Sequence, residues 1–166
     1  MNRKHRHSEK CSPVEPPAEK KQLVGRLLHK SSRFFRELAA QRLAQAGYAH
    51  IWIGHIVLML HIRPGGSTIN QLAQETSISK QAVSRFVKEL ETNHYVSTGQ
   101  HPDDARSVLV GITASGHQLL AAWQTATDRA YQQFIEIVGE KSMQELVGTL
   151  DKLVTFFEEP PTDSAA

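Results

Sequence analysis

Between Ser79 and Leu90 the side chains Lys80, Gln81, Ser84, Arg85 and Lys88 recur at a spacing that puts them on one face of a helix, opposite Val83, Phe86, Val87 and Leu90. All five are donors or amphoteric, and the acids Glu89 and Glu91 come only at the C-terminal end. Gln pairs bidentately with adenine and Arg with guanine, while Ser and Lys reach phosphates. The N-terminal turns of a recognition helix are the ones that approach base edges. Such a face is suited to reading duplex DNA in the major groove; its plain alternative is the solvated side of an amphipathic helix, because exposed Lys and Arg are common. A second pair, Asp104 and Arg106, stands two residues apart in a turn. A tip arginine can enter a narrow minor groove, where the negative potential is enhanced. A carboxylate beside it can hold the guanidinium in one pose. The alternative there is a surface ion pair of little weight.

Other reactive side chains fail on spacing. Nine histidines suggest metal, but zinc on a helix wants ligands four residues apart on one face. His50, His55, His61, His94 and His117 have no His, Cys, Asp or Glu at that offset, so surface or hydrogen-bonded core histidines are expected, and no metal or other cofactor. Cys11 is the single cysteine and lies beside Lys10, but in a segment with no structured surround to transmit oxidation. Asp103 and Asp104 are adjacent in a tight turn and point apart, which does not give the split pKa values of general acid–base catalysis. With no nucleophile elbow, phosphate loop, metal pair or Cys-His set, the chain is read as a non-enzyme.

The remaining composition bounds the class. A chain of 166 residues with 40% hydrophobic and 22% charged residues can bury one core and is not wholly disordered. One cysteine excludes a disulfide-stapled domain. The longest nearly apolar run, Ile51 to Ile62, is 12 residues and contains Gly54, His55 and His61, short of the ~20 a membrane span needs. No apolar stretch follows the basic Met1 to Lys10, so a reduced, cytoplasmic, soluble protein without a membrane partner is expected. Net charge is +2, with +3 in the first 21 residues and −1 over the rest. Any nucleic-acid contact must therefore rest on local placement of charge.

The elements that would position the polar face are mostly helical. Residues 1–20 read as a disordered basic arm and 159–166 as a frayed tail. Helical periodicity runs from about Lys21 to Ala46, ended by Gly47, and from about His50 to Ile62, where it is apolar nearly all round and predicts a helix covered on every side. Thr68 with Gln71 forms a capping-box signature for a short helix Ile69 to Glu75, and Ser79 caps another reaching about Asn93. Ala73 is the small residue expected where these two cross, and Ile78, Val83 and Phe86 the wedge between them. Two β-branched runs, Tyr95 to Gln100 and Ser107 to Ile112, flank the turn-forming residues His101 to Arg106 as a hairpin. Thr113 caps a long helix, Ala114 to Val138, and a last one runs from Ser142 to Phe157. The fold class is mainly α with a small β-hairpin wing: a winged helix-turn-helix at 47–113, flanked by helical dimerisation arms at 21–46 and 114–158. Phe34, Phe35, Val24, Leu28, Phe134, Ile137, Val138 and the apolar stripe of the last helix exceed what one small domain can cover, which predicts pairing with a second copy.

Four stretches in register, Thr68–Ala73, Ser79–Arg85, Pro102–Ser107 and Ile112–Gly116, resemble the third helix, recognition helix, Asp-x-Arg wing and fifth-helix start of the MarR family of bacterial transcriptional regulators. The resemblance covers about Gly47 to Leu120. It implies a homodimer reading a pseudo-palindromic double-stranded DNA operator, most simply as a repressor. On this sequence the DNA-contacting residues would be Thr68, Ser79, Lys80, Gln81, Ser84, Arg85, Lys88 and Arg106, with Asp104 supporting the wing. Family members often bind a small aromatic or phenolic effector, which makes His29, Trp52, His55 and Met59 candidates by position, against the plainer reading of Trp52 and Met59 as core. Two features depart from the family pattern. Ser77 stands where Gly is usual, and Ser97-Thr98-Gly99-Gln100 precedes the wing where many relatives carry arginines. The alternative of another class is a helical protein-interaction adaptor that keeps the fold without binding DNA.

Overall fold

A computed structural model describes residues 20–101 and 104–158, with side chains from 23 to 101 and from 107 to 158. The expected N-terminal arm with Cys11, the tail 159–166, the residues Pro102 and Asp103, and the side chains of Asp104 and Arg106 lie outside what is described.

Helix α1, Lys20–Leu43, passes through a π-turn, Ala44–Tyr48, in which Gly47 takes φ 100°, a conformation costly for any residue with a Cβ. Helix α2 spans Ile53–Leu60, shorter than the expected His50 to Ile62. It starts late because Trp52 is extended and gives its N–H to His55 Nδ1 at 3.2 Å, and it stops where His61 N–H turns back to the Leu58 carbonyl at 3.1 Å. His55, Ile56, Leu58 and Met59 are buried, but Leu60 is 59% exposed and Trp52 72%. The expectation of cover on every side is thus corrected: only the central turns of α2 are enclosed.

The two-residue strand β1, Ser67–Thr68, leads into α3, Ile69–Thr76; then come α4, Lys80–Thr92, β2, Val96–His101, and β3, Asp104–Ile112. The sheet is antiparallel in the order β1-β3-β2, with Ser67 opposite Val110 and Val96 opposite Ile112. Two corrections to the hairpin follow. A third strand is present, too short to carry an alternating pattern and formed because the free edge of β3 pairs with it. β3 also begins at Asp104 rather than Ser107, with a register irregularity at Gln100/His101. Ser67 is fully buried, and its Oγ accepts from Arg63 N–H at 3.0 Å.

Helices α5, Ala114–Val138, and α6, Glu140–Glu158, complete the chain. α5 packs along α1 through the small buried residues Ala39, Ala126 and Ala130, with Phe35 edge-on to Phe134 at 5.5 Å. The core of Leu43, Ile56, Leu58, Met59, Leu72, Val83, Leu90, Val96, Val110 and Leu119 joins α1, α2, the helix-turn-helix, the sheet and α5. Among the described residues no single helix is long and apolar enough to cross a membrane.

Candidate nucleic-acid interface

The helix-turn-helix is fixed by its caps and its turn. Thr68 Oγ1 accepts from Gln71 N–H at 3.3 Å while Gln71 Oε1 accepts from Thr68 N–H at 2.8 Å, the reciprocal arrangement expected from Thr68 and Gln71. Ser77 ends α3 in the left-handed region, φ 55°, ψ 26°. The position is thus the one that favours glycine, occupied here by serine at some conformational cost. Ser79 Oγ accepts from Ala82 N–H at 3.3 Å and starts α4. Leu72 and Ala73 of α3 and Val83, Val87 and Leu90 of α4 are buried, Ile78 in the turn is half-buried, and Phe86, also half-buried, packs on Gly54 and His55 of α2.

This packing turns Lys80, Gln81, Ser84, Arg85 and Lys88 outward, all exposed along the free side of α4. Neither Lys80 nor Lys88 has an ion-pair partner among the described residues. The nearby acids are occupied by partners within the protein. Glu75 pairs with Arg63 at 2.5 Å, Glu91 accepts from the Thr98 N–H and hydroxyl, and Glu89 Oε2 lies 2.8 Å from His55 Nε2. Lys80, Arg85 and Lys88 form a locally cationic face on a chain of small net charge.

Arg85 is held on two sides. Its Nε is 3.6 Å from Glu89 Oε1, and its guanidinium carbon is 5.2 Å from the Phe86 ring centroid. Phe86 packs so closely on α2 that a Cβ at Gly54 would come within 2.8 Å of its ring. Sequence reasoning missed Glu89 as a partner of His55: they are 34 residues apart, and nothing local links them.

The Ile112–Gly116 motif also has a physical reason. Thr113 Oγ1 accepts from Gly116 N–H at 3.0 Å and donates to the His94 carbonyl at 2.6 Å. Gly116 lies against the Tyr95 carbonyl, so close that a Cβ could not be placed there. These contacts seat the base of the hairpin on α5. Tyr95 OH is 3.1 Å from His50 Nε2, and burial, followed by the neighbouring Tyr48, pushes its phenol above the usual value.

The effector candidates do not converge. His29 is exposed on α1, Trp52 is exposed ahead of α2, His55 has both ring nitrogens engaged, and Met59 is fully buried. Met59 is thus core, whereas Trp52 is not, which corrects the core reading for that residue. A largely apolar cavity of about 620 Å³ lies instead between α1, α5 and α6, lined by Phe34, Leu38, Phe134, Ile137, Met143 and Leu146 among others. No group of three or more metal-ligating side chains occurs among the described residues.

Comparison with known proteins agrees with this geometry. Residues 54–107 match the MarR family. The uncharacterized HTH-type transcriptional regulator YvnA of Bacillus subtilis strain 168 is 29% identical over 105 residues, 62% of this chain and 62% of the relative's own length. A mutant MarR from E. coli superposes with a TM-score of 0.70 at 22% identity, covering 79% of this chain and 96% of that one. The same mutant protein complexed with operator DNA gives 0.64 at 22% identity, over 79% of this chain and 93% of that one. The matched segment, residues 54–107, contains α3, α4 and β2 whole and is similar to the MarR family of transcriptional regulators, and the solved structures share the winged-helix fold around it.

Proposed function

We propose that the protein regulates transcription by binding a pseudo-palindromic double-stranded operator as a homodimer. α4 reads the major groove through Gln81, Ser84 and Arg85, Lys80 and Lys88 anchor phosphates, and Arg106 probes the minor groove. The observation that carries this reading is the outward face of α4, where Lys80, Gln81, Ser84, Arg85 and Lys88 are all exposed. Thr68 and Ser79, which cap α3 and α4, place hydroxyls and free backbone N–H groups at two helix starts, a setting that suits phosphate. The relative complexed with operator DNA supports a duplex partner.

Dimerisation is supported by the face that a single copy leaves open. Leu23, Val24, Leu27, Leu28 and Phe34 of α1 and Leu146, Val147, Leu153, Val154, Phe156 and Phe157 of α6 are all exposed. So much exposed apolar surface suits an interface, and an isologous pair matches half-sites one helical turn, ~34 Å, apart. Val154→Glu should shift the sedimentation coefficient to that of a monomer; an unshifted dimer contradicts this interface. For DNA, titration of random duplex at stepped salt should give binding that weakens linearly in log–log form. An adaptor that has lost DNA binding would give neither binding nor slope.

A further inference from the structure

We infer that Glu89 is a positioning residue for Arg85, anchored from the protein interior by His55, so that α2 sets the pose of the arginine on the DNA-facing side of α4. The inference rests on the DNA-binding reading and deepens it. His55 is buried, with 4% of its side chain exposed. Its Nδ1 accepts from Trp52 N–H at 3.2 Å, which leaves the proton on Nε2, and Nε2 donates to Glu89 Oε2 at 2.8 Å. The ring is also fixed edge-on against Phe86, centroids 5.0 Å apart at 83°. It cannot turn without leaving buried polar groups unpaired. Glu89 is thereby held by one oxygen and offers the other to Arg85 Nε at 3.6 Å. Contact through Nε leaves both terminal nitrogens of the guanidinium free, the fork that a guanine edge takes. Phe86 touches both His55 and Arg85, so one ring closes the second side of the arginine's path. The result is an exposed arginine ordered before DNA arrives, which reduces the ordering cost of binding.

The proposal opposes what bulk electrostatics expects. Glu89 is an acid on the helix proposed to face DNA, so neutralising it should by charge alone strengthen binding. Glu89→Gln keeps the shape and can still accept from His55. If Glu89 positions Arg85, its affinity for a site selected by the wild type should fall roughly two- to tenfold, the range expected for loosening one long side chain. Affinity for random duplex should hold or rise, and the same substitution in an Arg85→Ala background should cost nothing. Equal or tighter binding of Glu89→Gln at the selected site, or an undiminished loss in the double variant, overturns the inference. A wild type that enriches no site from a random pool overturns the DNA reading itself. Independently of DNA, nitrogen NMR of the full chain should show His55 protonated at Nε2; a proton on Nδ1 breaks the anchor and overturns the inference.

Discussion

Gly116, three residues into the long helix α5, lies with its backbone against the carbonyl oxygen of Tyr95, at a separation that admits no Cβ. Ile112 Cγ2 closes the other side, 2.8 Å from where a Cβ would stand. Gly116→Ala must therefore push the base of the hairpin away from α5. A loss of 1–3 kcal/mol or somewhat more is expected from such overpacking, whereas exposed Ser115→Ala should stay within about 0.5 kcal/mol. Urea unfolding of the two variants checks the contrast.

Ser79 offers a way to separate its capping role from its proposed DNA contact. Ser79→Ala removes the acceptor for Ala82 N–H and should cost about 1 kcal/mol of stability. Ser79→Asp keeps a good cap, and its charge suits the start of a helix. Its stability should match the wild type, yet its affinity for duplex DNA should fall because the added carboxylate meets phosphate. Melting temperature and DNA titration, measured together, distinguish the two effects.

Tyr95 gives stability a slope in alkali. Its phenol titrates higher in the folded chain than in the unfolded one, because burial, and then Tyr48, disfavours the phenolate. Above a pH of about 10 the unfolded chain releases this proton first, so stability is intact below that pH and declines as pH rises from there toward the folded value. Tyr95→Phe should reduce the decline between pH 9 and 11 in denaturant unfolding. An identical decline would contradict the assignment.

Much of this architecture is written locally in the chain. The caps Thr68, Ser79 and Thr113 and the outward set on α4 follow from spacing alone, because each depends on neighbours within one or two helical turns, whereas Phe86, expected in the wedge with Ile78 and Val83, has its contacts on α2. Ser77 is instructive: the position demands left-handed dihedrals, and it keeps them with a serine. What the sequence concealed depends on distant partners. β1 exists only because β3 offers a free edge, α2 is shortened by the contact of Trp52 N–H with the His55 ring, and Glu89 gains its role from a histidine 34 residues away. Exposure of Trp52 is of the same kind, since an aromatic in an apolar run reads as core until the fold shows which end of the run is uncovered.

The most direct measurement is an equilibrium titration of wild type and Arg85→Ala against a site selected from a random duplex pool and against its single-base variants. Wild type should bind the selected site more tightly than Arg85→Ala by about 1–3 kcal/mol, and the variant should lose discrimination at one base pair per half-site while keeping it elsewhere. Equal affinity of the two proteins for the selected site would contradict the placement of α4 in the major groove.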